Sequence, residues 1–334
     1  KDDSTSDHGY AIVGTVSGTT ITFGTPILFD NTAVNFISAT FDSNSNKVVI
    51  AYKDDGANVG KAIVGTVSGT TISFGPPSVF NGVDANHISA TFDSNSNKVV
   101  IAYQDYTNGP QSAFGTAIVG TVLGTTISFG TAVLFDNTLA KYMSTSFDSN
   151  SNKVVIAYSD TSNSNQGTAV VGTVVGDVIS FGPPSVFEST QTATIYSVFD
   201  SALNKVVIAY QGTVATYGYG VVGTVSGTSI SFGTPNTFNL AITLVAGIAY
   251  DSDSETVVIS YNGSAITGSV SGTSISYGTP LVFTGNSTTP GGDATIFDST
   301  ANKVVISYTN SGANIGQTVV LQAAWNPLTT DNFI

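Results

Sequence analysis

The run "FDSNSNKVVIAY" begins at Phe41 and returns at Phe92 and Phe147, with looser copies at Phe199, Tyr250 and Phe297. Its Asp-x-Asn-x-Asn order sets oxygen donors at alternate positions, as the front of a calcium loop does. A helix–loop–helix calcium loop also needs glycine at position six and a bidentate glutamate at position twelve. Counted from Asp42, those places hold Lys47 and Lys53. The residues suit a turn better: the aspartate accepts from the backbone N–H groups that follow it, and asparagine tolerates a left-handed conformation. One copy, Asp251-x-Asp253-x-Glu255, carries three acids and is the single candidate for a cation, calcium being the ion in question.

Other chemistry is thinly supplied. The two histidines, His8 and His87, lie far apart, and no Ser-His-Asp order, histidine-rich metal cluster or glycine-rich phosphate loop stands out. Glycosidase carboxylate pairs generally include a glutamate, and only Glu188 and Glu255 are present. Asp54, Asp105 and Asp160 recur at matching places in successive copies, so none is singled out as acid or base. No catalytic residue is assigned, and a non-enzymatic protein without a cofactor is expected. A secreted polysaccharide-processing enzyme is the reading kept from another class.

Composition narrows the partners. Charged residues are 9% of the 334, against 41% hydrophobic, so solubility comes from Ser, Thr, Asn and Gly. All nine basic residues are lysine and the net charge is −13. Binding nucleic acid requires a basic stripe that displaces counterions from phosphate, which excludes nucleic acid as a partner. No apolar run approaches the ~18 residues of a membrane span, so no membrane insertion is expected. Cysteine is absent, and with it disulfides and thiolate metal sites.

The six copies recur at about 51 residues, and each holds four stretches rich in Val, Ile, Thr and Phe bounded by turn residues. In the second copy these predict strands over 87–92, 98–103, 117–122 and 126–129. "DSNSN" joins the first to the second and "SGTT" the third to the fourth, both of hairpin length. Nothing shows sustained helical periodicity. An all-β chain of four-stranded antiparallel units is predicted, and such a unit is the blade of a β-propeller. Small residues on the first strand (Ser38, Ala39 and Thr40, then Ser89, Ala90 and Thr91) suit strands that converge on an axis. "VVIAY" is apolar on both faces, as a strand between neighbouring blades must be. Six inner strands imply six blades, with seven as the alternative. Closure is expected from N-terminal strands at 11–16 and 20–23 joining C-terminal strands at 294–297 and 303–308. The stretch 318–325 also reads as a strand and does not fit that closure. One propeller domain over 1–325 and a tail at 326–334 opening a further segment are expected, in a chain that begins within a repeat of a longer polypeptide.

Comparison of the internal copies separates two faces. The "DSNSN" and "SGTT" turns keep their length and wording, while the second-to-third loops and the crossings between blades vary. Binding sites sit preferentially on such variable loops. On that face, the residue five before each inner-strand aromatic marks the channel mouth: Phe36, His87, Tyr142, Thr194, Val245 and Gly292. Phe36, His87 and Tyr142, with Asp54, Asp105 and Asp160 beside them and Tyr106, Tyr217 and Tyr219 near by, would suit a carbohydrate, which stacks on rings and bonds to carboxylates. Asn262 and Asn286 open glycosylation triplets on the same face.

The phrase "KVVIAYxDxxN…GTAIVGTVSGTTISFGTPxxF", read across 153–187 and its sister copies, resembles propeller repeats of large secreted or virion proteins of marine phages and bacteria, often tail-fibre-like. The resemblance spans 11–308. It implies an extracellular or virion-surface location, other structural subunits of the same particle or filament as partners, and attachment to a host-surface glycan. A building block of a microbial surface filament is the alternative.

Overall fold

The computed structural model describes residues 7–107, 109, 113–213, 216–284, 294–310 and 315–322. Six inner strands follow one another side by side, at 34–42, Ala85–Asp93, 140–148, 192–200, Val245–Asp251 and Ala294–Asp298. Each pairs antiparallel with a second strand and that with a third, as Lys98–Asp105 lies between Ala85–Asp93 and Phe114–Leu123. We number these blades one to six by their inner strands.

The two-faced second strand explains the order. In blade two, Val99, Ile101 and Tyr103 enter one hydrophobic core, while Val100 and Ala102 enter the next. The same alternation divides Val154, Ile156 and Tyr158 from Val155 and Ala157. A period of two puts successive side chains on opposite faces, so a strand apolar at every position needs a neighbour on both. The inner strands need small polar residues because they pack against each other. The Ser89 hydroxyl lies 3.0 Å from that of Thr145 and accepts from its backbone N–H. Ser38 accepts from the backbone N–H of Ala90, and Ser144 from that of Ser197.

Both hairpins form as their wording requires. Asp42 Oδ1 accepts from the N–H groups of Asn44 and Ser45, and Asn46 turns left-handed at φ 55°. Each of the six copies repeats this, including those where Ala202 or Thr300 replaces the asparagine. In the other hairpin Gly69 alone takes positive φ, the pattern of a II′ turn with glycine first.

Two expectations are corrected. The fourth strand is broken, and in three places its outer half runs on without a loop into the next inner strand, giving the 16-residue strands Ile27–Asp42, Val133–Asp148 and Ser185–Asp200. Crossings expected as loops are there continuous strand. Closure also differs: the outer edge of Lys303–Asn310 carries Ile315–Gln322, not the N-terminal strands. A third strand joined by a short connection closes at far lower entropic cost than one from the other end of the chain. The N-terminal strands His8–Ala11, Gly14–Ser17 and Thr20–Phe23 pair with one another or with 27–33. Thr20–Phe23 packs on Ile315–Gln322 as each fourth strand packs on the third strand of the preceding blade.

Candidate functional site

At the variable-loop end, each of the first four inner strands carries a bulge. Asn35 faces Lys53 and Ser38 faces Ala51, so Phe36 and Ile37 together oppose Tyr52. The same break holds His87, Tyr142 and Thr194. The first bulge residue is left-handed in every case, at φ 47°, 49°, 52° and 44°. That conformation costs a side chain with a Cβ about 1 kcal/mol or more. What the strain achieves is a row of rings: Phe36 and His87 lie with centroids 5.2 Å apart, and His87 and Tyr142 also 5.2 Å apart. Tyr142 ends the row at 39% exposure. Gly292 lies outside the described residues, and Val245 has no left-handed backbone.

Burial, and then the Lys141 charge, push the His87 imidazole down to about 4. The unfolded chain takes up this proton near 6.5, so stability is lost as pH falls from there to about 4, by roughly 3 kcal/mol when complete. His87→Phe, which copies blade one, should remove that slope. Urea unfolding at pH 7 and 4.5 checks it, and equal pH dependence in the two proteins would show that the ring is not held neutral by burial.

The structure does not bring the three aspartates to the rings. Asp54, Asp105 and Asp160 turn to the blade crossings. Asp54 Oδ1 accepts from the N–H groups of Gly56 and Ala57, and Asp160 from Ser162. Each also meets the residue after the fourth-strand phenylalanine of the preceding blade, which the sequence reading had passed over. At the first crossing that residue is Asp30, and Lys61 Nζ lies 3.3 Å from Asp30 and 2.5 Å from Asp54. The Thr32 hydroxyl sits 2.7 and 2.8 Å from the same two carboxylates, and Tyr52 donates to Asp30 at 2.8 Å. Burial pushes both carboxyls up, but the hydroxyl and backbone bonds and the Lys61 ammonium outweigh it and hold both below the ordinary value. At the next crossing Asn81 donates to Asp105 at 3.0 Å instead. Comparing Asp30, Asn81, Asp136 and Glu188 across the copies was the signal available.

The remaining candidates are tied into the frame. Tyr106 donates to Gln104, Tyr219 stacks on Tyr210 at 5.7 Å, and the Tyr217 carbonyl accepts from Gly212. Asp251 Oδ1 accepts from the N–H groups of Asp253 and Ser254, and Glu255 takes the left-handed place of asparagine at φ 54°. Among the described residues no three His, Asp or Glu gather into a group that could hold a metal, these acids included. The Asn262 amide nitrogen, where a glycan would attach, donates to the Ile242 carbonyl. Asn286 lies outside the described residues.

Strand order, register and the shared cores define the class: the chain is a β-propeller of four-stranded antiparallel blades. Solved structures agree. The chain is similar to the β-propeller domain of Myceliophteria thermophila Cps50 (Swd1), at 8% identity over 94% of this chain and 96% of that one, with a TM-score of 0.58. AofleA from Arthrobotrys oligospora matches at 11% identity over 86% and 82%, TM-score 0.55. The Dos1 propeller matches at 10% over 90% and 69%, TM-score 0.55. Identities this low carry the fold alone. No protein-family model matches the chain, and no curated protein does.

Proposed function

We propose that this propeller is a non-enzymatic extracellular module, structural in its own assembly, that attaches to a surface glycan through the ring row at its variable-loop mouth. The observation that carries this is the repeated backbone strain. Four bulges hold a left-handed residue at the same place, and three of those residues are aromatic and in line. Strain kept at one position in successive blades calls for a use, and sugar faces stack on such rings. The charge-poor, hydroxyl-rich composition suits an exposed particle, and the resemblance of the repeats to virion and surface proteins is the ground for placing it there as a tail-fibre-like or filament subunit.

A glycan array on the folded chain tests this. Binding should fall about tenfold or more in Tyr142→Ala, a loss typical of a buried aromatic contact. A folded chain that binds no glycan would have a purely structural role. Binding untouched by Tyr142→Ala would move the site elsewhere. Release of reducing ends, abolished by Asp105→Asn, would make the protein an enzyme.

A further inference from the structure

The crossing from blade two to blade three repeats the Lys61 cluster without its lysine. Asp136 stands where Asp30 does and Asp160 where Asp54 does; the Thr138 hydroxyl bonds to Asp136 and lies 3.4 Å from Asp160. Lys61 is the strand partner of Tyr52 and Val79. The same register, opposite Tyr158 and Val186, holds Thr168. A shared register gives a shared face, so Thr168 leaves its strand toward the two carboxylates but is too short to reach them. Thr168 is 2% exposed, and its hydroxyl and Asp136 Oδ2 are both buried without a hydrogen-bond partner. Tyr158, raised by burial and then by the Asp136 charge, lies near enough to lower the Asp136 carboxyl in turn, but it does not close on Oδ2 as Tyr52 does on Asp30 at 2.8 Å. Asp160 Oδ2 accepts from the Asn163 amide at 2.7 Å. Among the described residues no ion pair reaches either carboxylate. Other crossings avoid this state, with Asn81 in place of one acid or Gly212 in place of the other. Beside the pair lies an open pocket of about 440 Å³ lined by Phe135, Asp136, Tyr158, Asp160 and Pro184.

We propose that the Asp136–Asp160 pocket binds the primary ammonium group of a small amine, in the place that Lys61 Nζ fills at the equivalent crossing. An ammonium carries three donors, which match Asp136 Oδ2, the Thr168 hydroxyl and the Asp160 carboxylate. Two carboxylates and a hydroxyl also give too few oxygens for calcium, which takes six to eight ligands. The methylene chain of the amine has Phe135, Tyr158 and Pro184 to lie against. This site is separate from the ring row and does not depend on its use.

The test uses the full chain with methylammonium chloride, against sodium chloride and calcium chloride at equal ionic strength. Saturation transfer to the methyl protons and a rise in melting temperature are expected with methylammonium beyond that with sodium. Asp136→Asn, which copies Asn81 of the neighbouring crossing, should weaken the response at least tenfold. Thr168→Lys should raise the melting temperature by itself and abolish the response, because the protein then supplies its own ammonium. Equal effects of sodium and methylammonium, a larger effect of calcium, or a response unchanged in Asp136→Asn would each overturn the proposal.

Discussion

Replacing Lys61 by methionine should lower the unfolding free energy by about 3–5 kcal/mol, the cost of leaving buried charge without its partner. Asp30 and Asp54 are 6% and 2% exposed at their side chains, so water cannot take over from the lysine. The pH dependence gives the diagnostic. With both carboxyls held below the ordinary value, their contribution is present above about 3.8 and is lost as pH falls through their folded pKa values. Burial lowers the Lys61 pKa, but the two carboxylates raise it further, so its contribution is present below about 10.5 and lost as pH rises through the raised value. Without the lysine, the Thr32, Tyr52 and backbone bonds remain but the ammonium no longer helps them offset burial, so both acids move up, toward the raised state that burial and then the neighbouring Asp160 charge give Asp136. The Lys61→Met deficit should therefore be largest at neutral pH and shrink toward pH 4 as a proton replaces the lost ammonium. Adding Asp54→Asn, which removes one of the two charges, should recover part of the loss. Urea unfolding of the three proteins across pH 4–8 reads all of this. A deficit below about 1 kcal/mol at pH 7 would mean that the cluster is solvated like a surface ion pair.

Gly130→Ala should be at least as damaging for a steric reason. A Cβ at Gly130 would lie 1.9 Å from the carbonyl oxygen of Asp177, in the turn of the next blade. The same 1.9 Å approach joins Gly24 to Thr70, Gly75 to Thr125, Gly182 to Thr228 and Gly233 to Thr273. The close approach of backbone to backbone thus recurs at five equivalent glycines, though not at Gly278, and sets the spacing between those neighbours. Overpacking costs about 1–3 kcal/mol where side chains can give way; here the obstacle is backbone, so a loss of about 3 kcal/mol or more is expected. Gly124→Ala is the control. Gly124 has φ 63° and open space around it, so it should lose only the left-handed preference, about 1–2 kcal/mol. Thermal unfolding of the pair separates the two causes, and equal losses would remove the steric account.

Much of the frame is local and was therefore legible. The Asp42 turn, the glycine at the head of each II′ hairpin and the two-faced apolar second strand depend on residues a few positions apart or on strict alternation. The "VVIAY" run required a blade on each side, and the cores that share out Val99 and Val100 are that requirement met. The candidate site was read in part. Phe36, His87 and Tyr142 were found as a column of the repeat, and they do line up. Their bulges were not foreseen, because a left-handed aromatic has no local signature. Asp54, Asp105 and Asp160 were recognised as a column but assigned to the rings. Their partners at the crossings, Thr32, Asn81 and Thr138, lie 22 to 24 residues away along the chain, in another strand.

The sequence by itself determined the blade: its strands, its turns, its two buried faces and the separation of a constant from a variable end. Those follow from alternation and turn chemistry, which act over a few residues. Only the tertiary structure decided which strand closes on Lys303–Asn310, which aspartate meets which lysine, and where the carboxylate pair at Asp136 and Asp160 stands without one. Those outcomes depend on how consecutive blades are set against each other, and that spacing arises from contacts between residues of different repeats.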